Sequence, residues 1–213
     1  CSSDLLSEDM LSICDMDGTQ VAGSMKISSE VKMHLEIYKV RADINSVVHA
    51  HPPTATGFAV AGIELTQCVL PEVILGLGGI PLAQYGTPGG AEIVEPMLPL
   101  VKDYDAILMA NHGVVTLGKN VMDAHFKMET VEHFAKIALV AHQLGAVKTL
   151  GDKEVGDLVS IRSNYGITDR PSCNLQAPVL GDGGGGKTLP RQEGDKEDLT
   201  QRVVEEVLRQ LRS

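Results

Sequence analysis

The run Ala106-Ile107-Leu108-Met109-Ala110 contains no polar side chain and reads as a buried strand, which a chain can form only by packing other elements against it. Around it the sequence alternates between helical and extended patterns, and this places the chain in the α/β class. Helices are expected over residues 29–40, 55–61, 91–102, 122–144 and 153–163. Strands are expected over 46–49, 80–83 and 106–109, with a hairpin partner for the last at 114–117. The longest helix sets Ala124, Phe126, Met128, Val131, Phe134, Ile137 and Ala141 near the spacing of a core-facing stripe. With 213 residues, 43% of them hydrophobic, the chain can bury one full core and still carry an appendage.

At the end of the apolar run Ile44-Asn45-Ser46-Val47-Val48 stands His49-Ala50-His51. Side chains of an extended strand repeat every two residues, so both imidazoles leave one face and can share an ion. In a chain with seven histidines the pair can equally be two ordinary surface or core residues, and further ligands must decide. Glu30 comes after Ser28 and Ser29 at the start of the first helix, where either serine can cap and the carboxylate falls in the first turn. His112 lies in Asn111-His112-Gly113 at the carboxyl end of the buried strand, where the glycine suggests a sharp turn. Taken alone it is a turn histidine more often than a ligand. Three neutral imidazoles and one carboxylate would suit a borderline divalent ion such as zinc.

Together, Ser28-Ser29-Glu30, His49-Ala50-His51-Pro52, Tyr85-Gly86-Thr87-Pro88-Gly89 and Asn111-His112-Gly113 resemble the class II aldolase/adducin family in content, order and spacing, over roughly residues 5–168. Four blocks in order are far more specific than any one of them. The resemblance implies a three-layer α/β/α domain with a mixed sheet, assembled as a homotetramer. It implies a Zn(2+) ion held by His49, His51, His112 and Glu30, with Glu30 displaced when substrate arrives and then acting as the base. It also implies phosphate contacts from Ser28 and Ser29; simple capping is their plainer role, and the two can coexist. Tyr165, in Ser163-Asn164-Tyr165-Gly166-Ile167, resembles a tyrosine near the family domain's carboxyl end that reaches a neighbouring subunit's site, with a half-buried packing role as the alternative. Where the family prototype has a proton-donating tyrosine, this chain places Glu72, a candidate donor.

The implied reaction is reversible retro-aldol cleavage of a deoxyketose 1-phosphate, fuculose or rhamnulose 1-phosphate, into dihydroxyacetone phosphate and lactaldehyde. A Lewis-acidic ion stabilises the enediolate left by cleavage, and a carboxylate moves the proton. A pentulose-phosphate 4-epimerase would use the same enediolate. An adducin-like interaction module without catalysis would lack the ligands, all of which are present here.

The net charge of −10 argues against nucleic acid, whose phosphates need clustered Lys and Arg, so small molecules or proteins are the expected partners. No apolar run reaches the ~18 residues of a membrane span and no signal-peptide pattern opens the chain, which points to the cytoplasm. Cys1, Cys14, Cys68 and Cys173 are scattered without a C-x-x-C pair and read as free thiols of a reducing compartment. His125, His133 and His142 share the long helix but lie two or more turns apart, too far for one ion, and read as solvated or packing residues. The first residues match a point already inside the family domain, past its amino-terminal helix and its Gly-Asn phosphate loop. The domain, residues 1–170, is therefore expected to be truncated at its amino end, at a cost to phosphate binding more than to metal binding.

From Asp169-Arg170-Pro171 the composition turns to Gly, Pro and polar residues, so residues 171–195 read as a flexible linker. Within it Gly181-Asp182-Gly183-Gly184-Gly185-Gly186-Lys187-Thr188 fits G-x-x-x-x-G-K-T. No core strand leads into it and Pro190 breaks any helix that would open after it, so nucleotide binding is rejected. Beyond it Leu199, Val203, Val204, Val207, Leu208 and Leu211 form one apolar stripe on a helix within residues 196–213. A short tethered helix cannot bury such a stripe alone. It can dock on its own body or self-associate as a coiled coil. It also resembles the encapsulation peptides of bacterial microcompartment enzymes, which implies a shell protein as partner and the microcompartment lumen as destination.

Overall fold

The computed structural model describes residues 7–87, 91–167 and 171–177, all within one unit, Cys1–Gly181. The expectations for Cys1, for Pro88 and Gly89, for the linker beyond residue 177, including its Gly-Lys-Thr pattern, and for the tail lie outside the described residues. A small antiparallel hairpin, β1 (Ile13–Cys14) and β2 (Gln20–Ala22), precedes helix α1 (Val31–Val40). Strand β3 (Ser46–Ala50) leads to α2 (Pro53–Ala61) and α3 (Pro71–Gly76), then to β4 (Leu82–Ala83) and the short α4 (Leu98–Val101). Strand β5 (Ala106–Met109) turns back into β6 (Gly113–Gly118), and α5 (Val121–Gln143) and α6 (Asp152–Ile161) come after it.

The central sheet has the order β3-β6-β5-β4. Strand β6 is antiparallel to both β3 and β5, while β4 is parallel to β5, so β3, β4 and β5 all point one way and their carboxyl ends lie at one end of the sheet. Strict alternation along the strands feeds two cores. Ala106, Leu108 and Val114 join Phe58, Val131 and Phe134 from α2 and α5. Ile107, Met109, Val115 and Leu117 join Met33 and Ile37 from α1 and Val101 from α4. Helices cover both faces, which gives the three layers and mixed sheet implied by the resemblance. All four residues of β5 are at most 3% exposed, and each large side chain buried in this way stabilises the fold by about 1.5–3 kcal/mol.

Just before β5 begins, at the end of the sheet away from His112, a charged network replaces apolar packing. Asp105, 1% exposed, takes hydrogen bonds from Arg41 and Lys127, each at 2.9 Å, and Arg41 also holds Asp43 at 2.7 Å. A buried carboxylate is tolerable there because two cations face it.

Several expectations are corrected. The helix expected over 91–102 is a 3-10 turn, Ala91–Ile93, followed by the four residues of α4, because Pro96 and Pro99 lack the N–H a continuous helix needs. Phe126 is 56% exposed, since it stands two residues from both Ala124 and Met128 and so falls on the opposite side of α5; Ala135 and Ala138 are buried in its stead. Cys68 and Cys173 are not free thiols but a disulfide spanning 105 residues, set among Ile74 and Val155. Spacing along the chain cannot report a pairing made by tertiary packing. Cys14 is a free thiol. Residues 171–177, composed like a linker, are fastened to the body: Cys173 by the disulfide, Asn174 by a bridge to Gln67, and Pro171 by a hydrogen bond from buried Arg162. No helix among the described residues is long and apolar enough to cross a membrane.

Candidate metal centre

Three segments converge where β3 and β5 end. His49 alternates onto the same face as Val47, toward α1, and the chain leaves the strand at Ala50, so His51 comes directly past it. After Met109 the turn through Ala110, Asn111 and His112 reverses the chain into β6. Asn111 adopts φ 56°, the left-handed region that asparagine enters more readily than most residues. On the facing side Glu30 occupies the N-cap position of α1. Ser28 Oγ accepts the Glu30 N–H at 3.1 Å, so Ser28 closes the turn ahead of the helix, which starts two residues later than its sequence pattern suggests.

The geometry is that of a ligand set. His49 Nδ1 lies 2.9 Å from the Val114 carbonyl oxygen, which can only accept, so Nδ1 carries the proton and Nε2 keeps its lone pair. His112 Nε2 stands 3.0 Å from His49 Nε2, with the rings inclined by only 12°. One ligand nitrogen from each of His49, His51 and His112 lies within 4.8 Å of the others. Glu30 Oε2 is 3.6 Å from His49 Nε2 and 3.5 Å from His112 Nε2, and it is buried without a hydrogen-bond partner. Two nitrogens sharing a tetrahedral zinc ion stand about 3.3 Å apart. The spacings among Glu30, His49 and His112 bracket that value, and the orphaned carboxylate oxygen is what a cation would satisfy.

Electrostatics agree. Burial pushes the His49 imidazole down to about 4, the neighbouring His112 and His51 add to the effect, and the Val114 hydrogen bond opposes it. His49 is therefore neutral at pH 7, as a metal ligand must be. His34, one turn along α1 from Glu30, is also held below its ordinary range by burial.

The remaining expected residues stand apart. Ser28 and Ser29 are exposed beside Glu30. Glu72 is exposed in the first turn of α3 and is not part of the cluster. Tyr165, 66% exposed in a 3-10 turn after α6, is likewise outside it. His125 faces Glu129 on α5 and belongs to no cluster of three or more ligand groups among the described residues. One contributor is invisible in the sequence, the Val114 carbonyl, set by strand register, and Gly113, legible there as a turn glycine, has a second role, since its missing side chain admits the His51 ring.

An α/β scaffold with such a cluster at its strand ends is that of an enzyme equipped to use a metal ion. A family model described as Class II Aldolase and Adducin N-terminal domain matches residues 2–139. An L-fuculose phosphate aldolase of Methanococcus maripaludis is 33% identical over 140 residues, covering 66% of this chain and 75% of that protein. A 3-oxo-tetronate 4-phosphate decarboxylase of Pectobacterium atrosepticum is 31% identical over 154 residues, covering 70% of this chain and 66% of that protein. The solved structure of an L-fuculose 1-phosphate aldolase superposes with a TM-score of 0.68 at 29% identity, over 77% of this chain and 76% of that one. The chain belongs to the class II aldolase and adducin family, and within it to the enzymes: it is a lyase of the aldolase type.

Proposed function

We propose that this enzyme cleaves a deoxyketose 1-phosphate, fuculose or rhamnulose 1-phosphate, reversibly into dihydroxyacetone phosphate and lactaldehyde. The observation that carries the reading is Glu30 Oε2, buried, unpartnered and 3.5–3.6 Å from two imidazole nitrogens, a base held beside a ligand set. His49, His51 and His112 would hold a divalent ion, Zn(2+) by the chemistry of the donors, with Glu30 as the displaceable fourth ligand. When bound, that ion supplies a Lewis acid for the substrate's oxygens. Glu30 then moves the proton at C3, delivering it during cleavage and removing it during synthesis. Glu72, or Tyr165 from a neighbouring subunit of a tetramer, handles the proton on the C4 hydroxyl. Ser28 and Ser29 offer hydroxyl donors to the phosphate at the amino end of α1.

A second reading is favoured by the decarboxylase relative, whose identity nearly equals that of the aldolase. Loss of carbon dioxide next to a carbonyl leaves the same kind of charge as retro-aldol cleavage, and so does a pentulose-phosphate 4-epimerase. One experiment separates them. Metal-loaded protein is incubated with fuculose, rhamnulose and ribulose phosphates and with a 3-oxo-tetronate phosphate, and lactaldehyde, epimer and carbon dioxide are scored. Lactaldehyde from a 1-phosphate supports the proposal. Epimer or carbon dioxide alone replaces it, and a protein that neither turns over nor binds metal removes the metal-dependent reading.

We further read residues 1–170 as the catalytic domain and residues 196–213 as a helix that docks on a microcompartment shell protein, with the tether starting beyond residue 177. The support is the apolar stripe behind a Gly- and Pro-rich segment. Residues 196–213 fused to a fluorescent protein should enter microcompartments in a cell making the cognate shell; diffuse fluorescence would remove the reading.

A further inference from the structure

We propose that Glu132 is a positioning residue for the metal site, acting through helix α2 without touching the ion or the substrate. The inference rests on the metal-binding reading of His49, His51 and His112. Helix α2 is the strut between the two ligand-bearing segments. It starts at Pro53, two residues after His51. Near its other end the Ala59 carbonyl accepts the Asn111 N–H at 3.3 Å, one residue before His112. A displacement of α2 therefore reaches both ligands.

The helix cannot secure its own amino end. Its N-cap position is Pro52, which offers no side-chain acceptor, and its first turn holds no acidic residue. The acceptor comes from α5, 78 residues away in sequence. The Thr54 N–H donates to Glu132 Oε1 and Oε2 at 3.0 and 3.1 Å, and the Ala55 N–H donates to Oε2 at 2.9 Å. These are charge-assisted bonds at the positive end of a helix, so the carboxylate is held there by the dipole as well as by the two donors. The clamp sets where α2 sits along α5, and hence where the chain leaving β3 must go.

His51 depends on this clamp most. The His49 ring is oriented by the Val114 carbonyl, whereas the His51 ring makes edge-on contacts with the other two imidazoles, lies against Gly113 and has no hydrogen bond among the described residues. Its place is set by its backbone. Between His51 and the clamped Thr54 stand only Pro52 and Pro53, whose φ angles are fixed by their rings, so the connection transmits position with little give.

A merely structural cap would alter stability and leave metal affinity alone, which makes affinity the deciding readout. The full chain is prepared as wild type, Glu132→Ala, Glu132→Gln and Glu132→Asp, stripped of metal, and titrated with Co(2+) while the visible absorption band of the bound ion is followed. Thermal unfolding of the metal-free proteins is recorded in parallel. Glu132→Ala is expected to bind Co(2+) about tenfold more weakly, with an altered band, at the low end of what supporting residues around a metal contribute. Glu132→Gln should recover most of the affinity because its amide oxygen still accepts, and Glu132→Asp should not, being one methylene too short. A folded Glu132→Ala protein with wild-type affinity and spectrum overturns the proposal. If that variant fails to fold, Glu132→Asp decides, and wild-type Co(2+) binding by it has the same force. A wild-type chain that takes up no Co(2+) would instead bring down the metal reading and this inference with it.

Discussion

Replacing Gly113 with alanine places a methyl group against the back of the histidine cluster. That carbon would stand 2.4 Å from Cδ2 of His51, 2.7 Å from the Ala50 carbonyl oxygen and 3.2 Å from Cε1 of His49. Non-bonded carbons settle at about 3.5–4.0 Å, so the His51 ring must retreat by roughly 1 Å or more. The Ala50 oxygen cannot yield as easily, because Ala50 is paired with Val114 in the β3–β6 ladder. Metal sites hold ligand distances to within about 0.2 Å, and a ring displaced by several times that amount leaves the set. Zinc affinity should fall by about 10–100-fold, and the metal-free chain should lose about 1–3 kcal/mol to overpacking. Calorimetric titration with Zn(2+) and urea unfolding of the stripped protein measure the two quantities separately. A Gly113→Ala protein that binds zinc within twofold of wild type, at unchanged metal-free stability, would refute the close-packing argument. Lost stability with intact affinity would show that the ring swings aside yet still reaches the ion.

Glu30→Gln should keep its metal on three imidazoles while turnover drops by about 10²–10⁴-fold, the usual contribution of a placed acid–base group; near-normal cleavage would move the proton transfer elsewhere, with Glu72 the first residue to try. The metal-free chain should lose stability as the pH falls from about 6.5 to about 4. Across that window the unfolded chain protonates His49 while the folded chain holds it neutral, so stability rises with pH and is complete above 6.5, and acidification removes on the order of 3 kcal/mol. Urea midpoints at pH 4.5 and 7.5 check this, and a His49→Asn protein with an undiminished pH dependence would count against it.

The range of the forces involved decides which features are legible in the sequence and which are hidden. Strand β5 is legible to the residue because its burial on both faces leaves a continuous apolar signature. The start of α3 carries a signal too, a proline at the first helical position after Leu70, but no helix is expected there from periodicity over so few residues. The break within 91–102 is also written in the chain, since Pro96 and Pro99 are visible and their missing donors are simply outweighed by the surrounding periodicity. Of the site, His49 and His51 declare themselves through strand parity, but the convergence of Glu30 and His112 on them comes only with the order of the family blocks. Glu132, Gly113 and the Cys68–Cys173 pair act across 62 to 105 residues of chain or through the absence of a side chain, and no local pattern encodes either.

The disulfide has a mechanical consequence for anything attached beyond residue 177. Tension between the two ends of the chain passes covalently from Cys68 to Cys173, so the intervening loop, which contains the His112 turn and all of α5, is outside the load path. In a single-molecule pulling experiment about 350 Å of contour, the span of the 105 residues at full extension, should stay hidden until a thiol reductant opens the bond. A force on the carboxyl end would then strip the hairpin and β3, with His49, before it could stretch the segment that carries His112.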